Sequence, residues 1–74
     1  MTEFSWGRTI THVLSGNALS EEEAAAAMTE IMEGAATPAQ IAGFVIALRA
    51  KGETTDEVVG LVKVMREYGE KVRV

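Results

Sequence analysis

The 74-residue sequence has no cysteine, one proline, one tryptophan, one tyrosine and two phenylalanines, and it lacks any long apolar run. The absence of cysteine excludes a disulfide framework and a thiolate metal site. No apolar stretch approaches the roughly 20 residues that a membrane-spanning helix needs, and Met1 precedes a polar, acid-containing start instead of a signal peptide. We therefore expect a soluble, unprocessed chain, and the missing cysteine favours the cytoplasm.

Basic side chains are also scarce, with seven Lys and Arg against eleven Asp and Glu, for a formal net charge of −4. They are scattered singly, so they offer no patch to a phosphate backbone or an anionic lipid surface. Neither nucleic acid nor a membrane is expected as a partner. A chain this short builds one small core whose gain nearly equals the entropic cost of ordering it, so we expect oligomerisation.

Helix start and stop signals recur along the chain. Three residue pairs have the spacing of a capping box, in which a hydroxyl and a carboxylate or amide satisfy the first amides of a helix. These pairs are Ser20 with Glu23, Thr37 with Gln40, and Thr54 with Glu57. Glycines at intervals of 18, 18 and 17 residues stand where helices are expected to end, at Gly16, Gly34, Gly52 and Gly69. Together these signals predict helices over residues 4–15, 21–33, 38–51 and 55–68.

Apolar spacing assigns a face to the later helices. Residues 41–48 are apolar nearly all round, so we expect the third helix to be central and buried on several sides. The fourth helix carries a stripe that is expected to face the core, which leaves Glu57 on the solvent side. The stripe consists of Val58, Leu61, Val62 and Met65.

Gly43 and Gly60 lie inside predicted helices, where each costs roughly 1 kcal/mol relative to alanine. A close approach of another backbone is expected to compensate, and Gly43 is the better candidate because it lies in the most apolar helix. Gly43 either packs tightly inside this domain or lies at a subunit or domain interface.

The fold class predicted from these signals is all-α. It is a small four-helix bundle over residues 1–69, with short loops and an extended C-terminal tail. The tail, residues 70–74, alternates polar and apolar side chains like the opening of a strand. A lone strand has nothing to pair with, and the third helix is more apolar than so small a bundle requires. We therefore interpret the chain as part of a larger architecture.

The sequence contains no complete catalytic or metal-binding constellation. His12 is the only histidine, and no carboxylate stands three or four residues from it, so we interpret it as a surface histidine. Glu21–Glu23 fall in the first turn of a helix, where negative charge is favourable. Met28, Met32 and Met65 recur at helical spacing and are expected to fill the core. No catalytic, cofactor-binding or metal-binding residue is predicted.

Several stretches resemble a known family. Residues 14–20 are Leu-Ser-Gly-Asn-Ala-Leu-Ser, residues 36–44 are Ala-Thr-Pro-Ala-Gln-Ile-Ala-Gly-Phe, and residues 48–54 are Leu-Arg-Ala-Lys-Gly-Glu-Thr. With Glu21–Glu23 and Met65-Arg66, they resemble the N-terminal helical domain of the anthranilate phosphoribosyltransferase family, which also occurs in pyrimidine and thymidine nucleoside phosphorylases. The last stretch favours the anthranilate branch.

The resemblance implies that the chemistry lies in another part of a full-length parent. In that family a large domain carries the diphosphate loop, the metal-binding acids and the anthranilate contacts. It transfers a phosphoribosyl group from phosphoribosyl diphosphate to anthranilate in tryptophan biosynthesis. Mg²⁺ with phosphoribosyl diphosphate is expected only in that parent, and this chain alone is expected to be inactive. Residues 70–74 would form the hinge strand toward the missing catalytic domain.

The resemblance also implies a homodimer through the first and third helices, and a domain that supports one side of the cleft where anthranilate enters. The candidate interface residues are Trp6, Ile10, Ile41, Gly43, Phe44, Ala47 and Leu48. Trp6 is either a lid on the core or an anchor of the interface. Two other hypotheses stay open: an autonomous helical adaptor that binds a partner helix against its third helix, and the small domain of a pyrimidine nucleoside phosphorylase.

Overall fold

The computed structural model describes residues 4–71, with the backbone alone at residues 70 and 71. Its elements are α1 (Trp6–Leu14), α2 (Glu21–Met32), α3 (Pro38–Lys51) and α4 (Thr55–Lys71). No strand occurs within residues 4–71. The predicted all-α class and the order of four helices are confirmed.

Side-chain caps determine where the helices begin. In the box that opens α2, the Glu23 amide donates to the Ser20 hydroxyl at 3.0 Å, and the Ser20 amide donates to Oε1 of Glu23 at 2.8 Å. The predicted boxes of α3 and α4 are also present. α1 begins at Trp6 instead of residue 4, because Ser5 is extended and its hydroxyl accepts from the Arg8 amide at 3.2 Å.

Glycines end the first three helices as predicted. Gly16 and Gly34 have φ angles of 88° and 76°, in the left-handed region. After Gly16, the amide of Asn17 donates back to the carbonyl of His12 at 3.2 Å, which is a Schellman motif. Gly52 ends α3 with a φ of 92°.

The end of α4 differs from the prediction. The helix passes through Gly69 and continues to Lys71, so the predicted stop at Gly69 is wrong. Residues 70 and 71 of the predicted tail are therefore helical. The rest of the tail, residues 72–74, lies outside the described residues.

One core joins two helix pairs, since α1 packs mainly on α3 and α2 packs mainly on α4. The ring of Trp6 lies between Phe4 and Phe44, with centroid distances of 4.9 and 5.3 Å and edge-to-face geometry. Such pairs stabilise a core beyond the area that they bury. The buried cluster consists of Trp6, Val13, Leu19, Ala24, Ala27, Phe44, Ala47 and Leu48.

α3 is buried on one side and not on several. Phe44 is 1% exposed, whereas Val45 and Ile46 are 48% and 67% exposed. The prediction that α3 is buried on several sides is wrong. Among the described helices only α1 packs extensively on α3, so the side of α3 opposite α1 is uncovered.

α4 turns a different face to the core from the one predicted. Glu57, Gly60 and Val64 are buried. Of the predicted stripe only Leu61 is half-buried, while Val58, Val62 and Met65 are exposed. The prediction failed because apolar residues cover more than one side of α4, and their spacing does not indicate which side packs on α2.

Two of the three methionines that were expected in the core lie outside it. Met32 and Met65 are 40% and 45% exposed, and Met28 is half-buried. The small residues of α2 fill its inward face instead, since Ala24 and Ala27 have no exposed surface.

Gly60, and not Gly43, is the site of the closest backbone approach. A Cβ atom at Gly60 would overlap the carbonyl oxygen of Glu21 and lie 3.1 Å from the Cβ atom of Ala24. A Cβ atom at Gly43 would make only an ordinary contact, at 3.5 Å, with Cδ1 of Ile10. The preference for Gly43 is thus wrong: its neighbour is α1 of the same domain, and there is room for a side-chain carbon.

Candidate functional site

His12 lies on the surface, as predicted, in the last turn of α1. Its Nε2 atom is 3.1 Å from the carbonyl oxygen of Ala18, so a proton on Nε2 would tie the helix end to the connection that follows. Among residues 4–71, no three His, Cys, Asp or Glu side chains are grouped so that they could hold a metal ion.

A half-open groove of about 340 Å³ runs between α1 and α2. Its walls carry the ring of Phe4, the basic side chains of Arg8 and His12, and the carboxylate of Glu23. Oε1 of Glu23 already accepts from the amide of Ser20 in the capping box. The groove therefore brings basic and acidic side chains together, and the hydroxyl residues Ser5 and Thr9 also line it.

Among the residues whose side chains the structure describes, Glu57 is the buried charged residue, with 0% of it exposed. Its Oε2 accepts from the backbone amide of Leu19 at 2.7 Å. Its Oε1 accepts from the amide of Thr54 at 2.8 Å and from Nζ of Lys51 at 2.9 Å. One carboxylate thus joins the α1–α2 connection, the last turn of α3 and the start of α4.

Burial and bonding act in opposite directions on the pKa of Glu57. Desolvation raises this pKa and is the largest single effect, but the bonds from Leu19, Lys51 and Thr54 together outweigh it. The pKa lies below its ordinary value of 4.5, so the carboxylate is ionised at neutral pH. Both oxygens are occupied by groups of the chain itself, which makes this carboxylate a structural group and not an acid or base for an external molecule.

The sequence analysis missed this role of Glu57. Spacing identified its capping partner, Thr54, three residues away. Leu19 is 38 residues away, and no local pattern points to such a partner. The one signal in the sequence was Lys51, which is the last residue of the predicted third helix and brings a cation to the same end of the bundle.

The structure brings most of the candidate interface residues together in its own core. Trp6, Phe44, Ala47 and Leu48 are buried, and Ile10, Ile41 and Gly43 are half-buried. Nε1 of Trp6 has no hydrogen-bond acceptor among the described residues. Four of them, Trp6, Phe44, Ala47 and Leu48, thus belong to the core cluster of a single chain, and Ile10 packs against that cluster. The role of the seven residues in an interface stays a prediction.

Other apolar side chains of α1 and α3 are exposed, and the sequence analysis did not select them. Leu14 and Ile46 are 66% and 67% exposed, and Val45 is 48% exposed. Because α3 is apolar nearly all round, its sequence pattern could not indicate which of its apolar residues are exposed.

α4 exposes a second apolar face, defined by Val58, Val59, Val62 and Met65. A shallow depression of about 530 Å³ lies beside it, and Lys63, Arg66 and Glu67 contribute to its lining. None of the helices within residues 4–71 is both long and apolar enough to cross a membrane.

Comparison with known proteins identifies the domain. Residues 8–69 match the family described as glycosyl transferase family, helical bundle domain. The chain is 55% identical to the anthranilate phosphoribosyltransferase of Pelotomaculum thermopropionicum over 64 residues, which cover 86% of this chain and 19% of that protein. It is 54% identical to that of Streptomyces griseus over 70 residues, 95% of this chain and 20% of the relative.

The match to the anthranilate phosphoribosyltransferase of Thermobifida fusca covers the whole chain, with 47% identity over 74 residues and 21% of that protein. The chain thus spans about a fifth of the length of these relatives. The resemblance inferred from residues 14–20, 36–44 and 48–54 is confirmed. The chain therefore belongs to this glycosyl transferase family, as a helical bundle domain like those of the anthranilate phosphoribosyltransferases.

Proposed function

We propose that this chain is the helical support domain of an anthranilate phosphoribosyltransferase that acts in the cytoplasm. The observation that carries the proposal is the match to three such enzymes over 86–100% of this chain. In the full-length parent, the remaining polypeptide transfers the phosphoribosyl group from phosphoribosyl diphosphate to anthranilate, with Mg²⁺ on the diphosphate. The domain closes one side of the anthranilate cleft. The names of these relatives favour this substrate over a nucleoside.

The chain alone is proposed to be inactive. The support is that Glu57, the buried carboxylate among the described residues, is already occupied by Leu19, Lys51 and Thr54. The purified chain, incubated with phosphoribosyl diphosphate, anthranilate and Mg²⁺, is expected to leave the fluorescence of anthranilate unchanged. Turnover of anthranilate by the chain would contradict this part of the proposal.

The domain is also proposed to form a homodimer through α1 and α3. The support is the exposed apolar surface of these two helices, where Leu14, Val45 and Ile46 are about half to two-thirds exposed. Burying these side chains against a second copy would remove apolar area from water, which is the main driving force of such association. The predicted interface residues that are buried, such as Phe44, would pack beneath this surface.

Sedimentation equilibrium tests the dimer with a matched pair of variants. Ile46→Lys places a charge on α3, and Val62→Lys places the same charge on the exposed face of α4. Ile46→Lys is expected to give a folded monomer at concentrations where the wild-type chain and Val62→Lys are dimers. A wild-type chain that is strictly monomeric with a cooperative melt would contradict the dimer and favour the autonomous adaptor. Dissociation by Val62→Lys alone would place the contact on α4 instead.

A further inference from the structure

The three capping boxes of this chain share one local design but differ in their surroundings. The boxes of Ser20 with Glu23 and of Thr37 with Gln40 are exposed, and their reciprocal bonds stay within one helical turn. Glu57 makes the same bonds with Thr54, but its carboxylate is buried and reaches two further segments. Glu57 therefore does more than cap α4.

We infer that Glu57 is a latch that holds the connection between α1 and α2, residues 15–20, on the start of α4. The connection is anchored at Leu19, which is 4% exposed and whose backbone amide donates to Oε2 of Glu57 at 2.7 Å. The other oxygen holds Lys51 at the end of α3. Because one group fastens these segments, the connection opens only when the whole domain unfolds. This inference goes beyond the proposed function and does not depend on it.

The latch requires a carboxylate and not merely a capping side chain. Gln40 shows that an amide can serve the local role, since its Oε1 accepts from the Thr37 amide at 2.9 Å. Glu57→Gln would keep one acceptor oxygen for the Thr54 amide but replace Oε2 with an NH₂ group. That NH₂ group and the amide of Leu19 are both donors, so the buried Leu19 amide would lose its acceptor.

Native-state hydrogen exchange of the 74-residue chain, followed by NMR, tests the latch. In Glu57→Gln, exchange at the Leu19 amide is expected to accelerate roughly 10- to 100-fold more than exchange at core amides such as those of Ala27 and Val64. This factor corresponds to the loss of one hydrogen bond to a charged group. The control is Glu23→Gln, which changes an exposed capping box in the same way and is expected to leave Leu19 unaffected. Equal acceleration at Leu19 and at the core amides would overturn the latch, because it would mean a general loss of stability.

The wild-type chain provides an independent test if the variant does not fold. With a latch, exchange at Leu19 increases with denaturant along the same slope as exchange at the core amides, because both need global unfolding. Exchange at Leu19 that is insensitive to low denaturant would show that the connection opens locally. That result would overturn the inference without any substitution.

Discussion

The two helix pairs of this domain are held together in opposite ways. α1 packs on α3 through large side chains, with the rings of Trp6 and Phe44 5.3 Å apart and inclined at 70°. α2 packs on α4 where side chains are small or missing, since Gly60 lies against the backbone of Glu21 and the Cβ atom of Ala24. The first pair should therefore be sensitive to lost volume and the second to added volume.

The largest effect is expected from removing volume in the first pair. Phe44→Ala should lower the free energy of unfolding by about 3–5 kcal/mol, because it leaves a cavity beside Trp6. Val45→Ala, at the next position but half-exposed, should change it by less than about 0.5 kcal/mol. Urea unfolding followed by circular dichroism gives both values. Similar losses in the two variants would show that the aromatic contact does not hold α1 on α3.

Adding volume to the second pair should have the next largest effect. Gly60→Ala should destabilise the chain by about 1–3 kcal/mol, because the new Cβ atom forces α4 away from Glu21. This loss should appear although alanine favours a helix over glycine by roughly 1 kcal/mol. The measurement is again the urea midpoint.

Gly69→Ala is the matched control for this substitution. Gly69 also lies within α4, but a Cβ atom there would have no neighbour within 4 Å. It should stabilise the chain by up to about 1 kcal/mol, from helix propensity alone. If both variants are stabilised, α2 and α4 are not in close backbone contact at Gly60.

The sequence predicts the helix caps but not the face by which α4 packs in the second pair. Ser20 and Glu23 are three residues apart, so the pattern contains both partners of the capping box. Val62 and Val64 are the same residue type on a helix that is apolar on more than one side, and periodicity cannot say that Val64 is the buried one. Local chemistry is thus readable from spacing, whereas the inward face of α4 depends on the close approach at Gly60.

The distant partners of Glu57 could not be predicted from spacing either. Low pH should weaken the hydrogen bonds by which Glu57 links the two helix pairs. Its pKa is lowered in the folded chain, so its stabilising contribution is present above the ordinary value of 4.5 and is lost as the pH falls through the lowered pKa. At pH 7 the wild-type chain should exceed Glu57→Gln in stability by about 1–3 kcal/mol. Urea midpoints measured from neutral pH to below the ordinary pKa should show this difference shrinking. Parallel curves would contradict a lowered pKa.

The smallest effect is expected at the far end of the second pair, where α2 and α4 are joined by exposed side chains. The hydroxyl of Tyr68 donates to Oε2 of Glu33 at 2.7 Å, and this bond is the main cause that raises the pKa of Tyr68 above 10.0. The associated stabilisation is present below pH 10.0 and is lost as the pH rises through the raised pKa.

Tyr68 is the only tyrosine, so phenolate absorbance measures its ionisation directly. Glu33→Gln should move the pKa toward 10.0 more than Glu67→Gln, because Glu67 acts only through its charge. An equal shift in the two variants would mean that the bond to Glu33 does not join the ends of α2 and α4 in solution, and that the small contacts around Gly60 hold this pair without it.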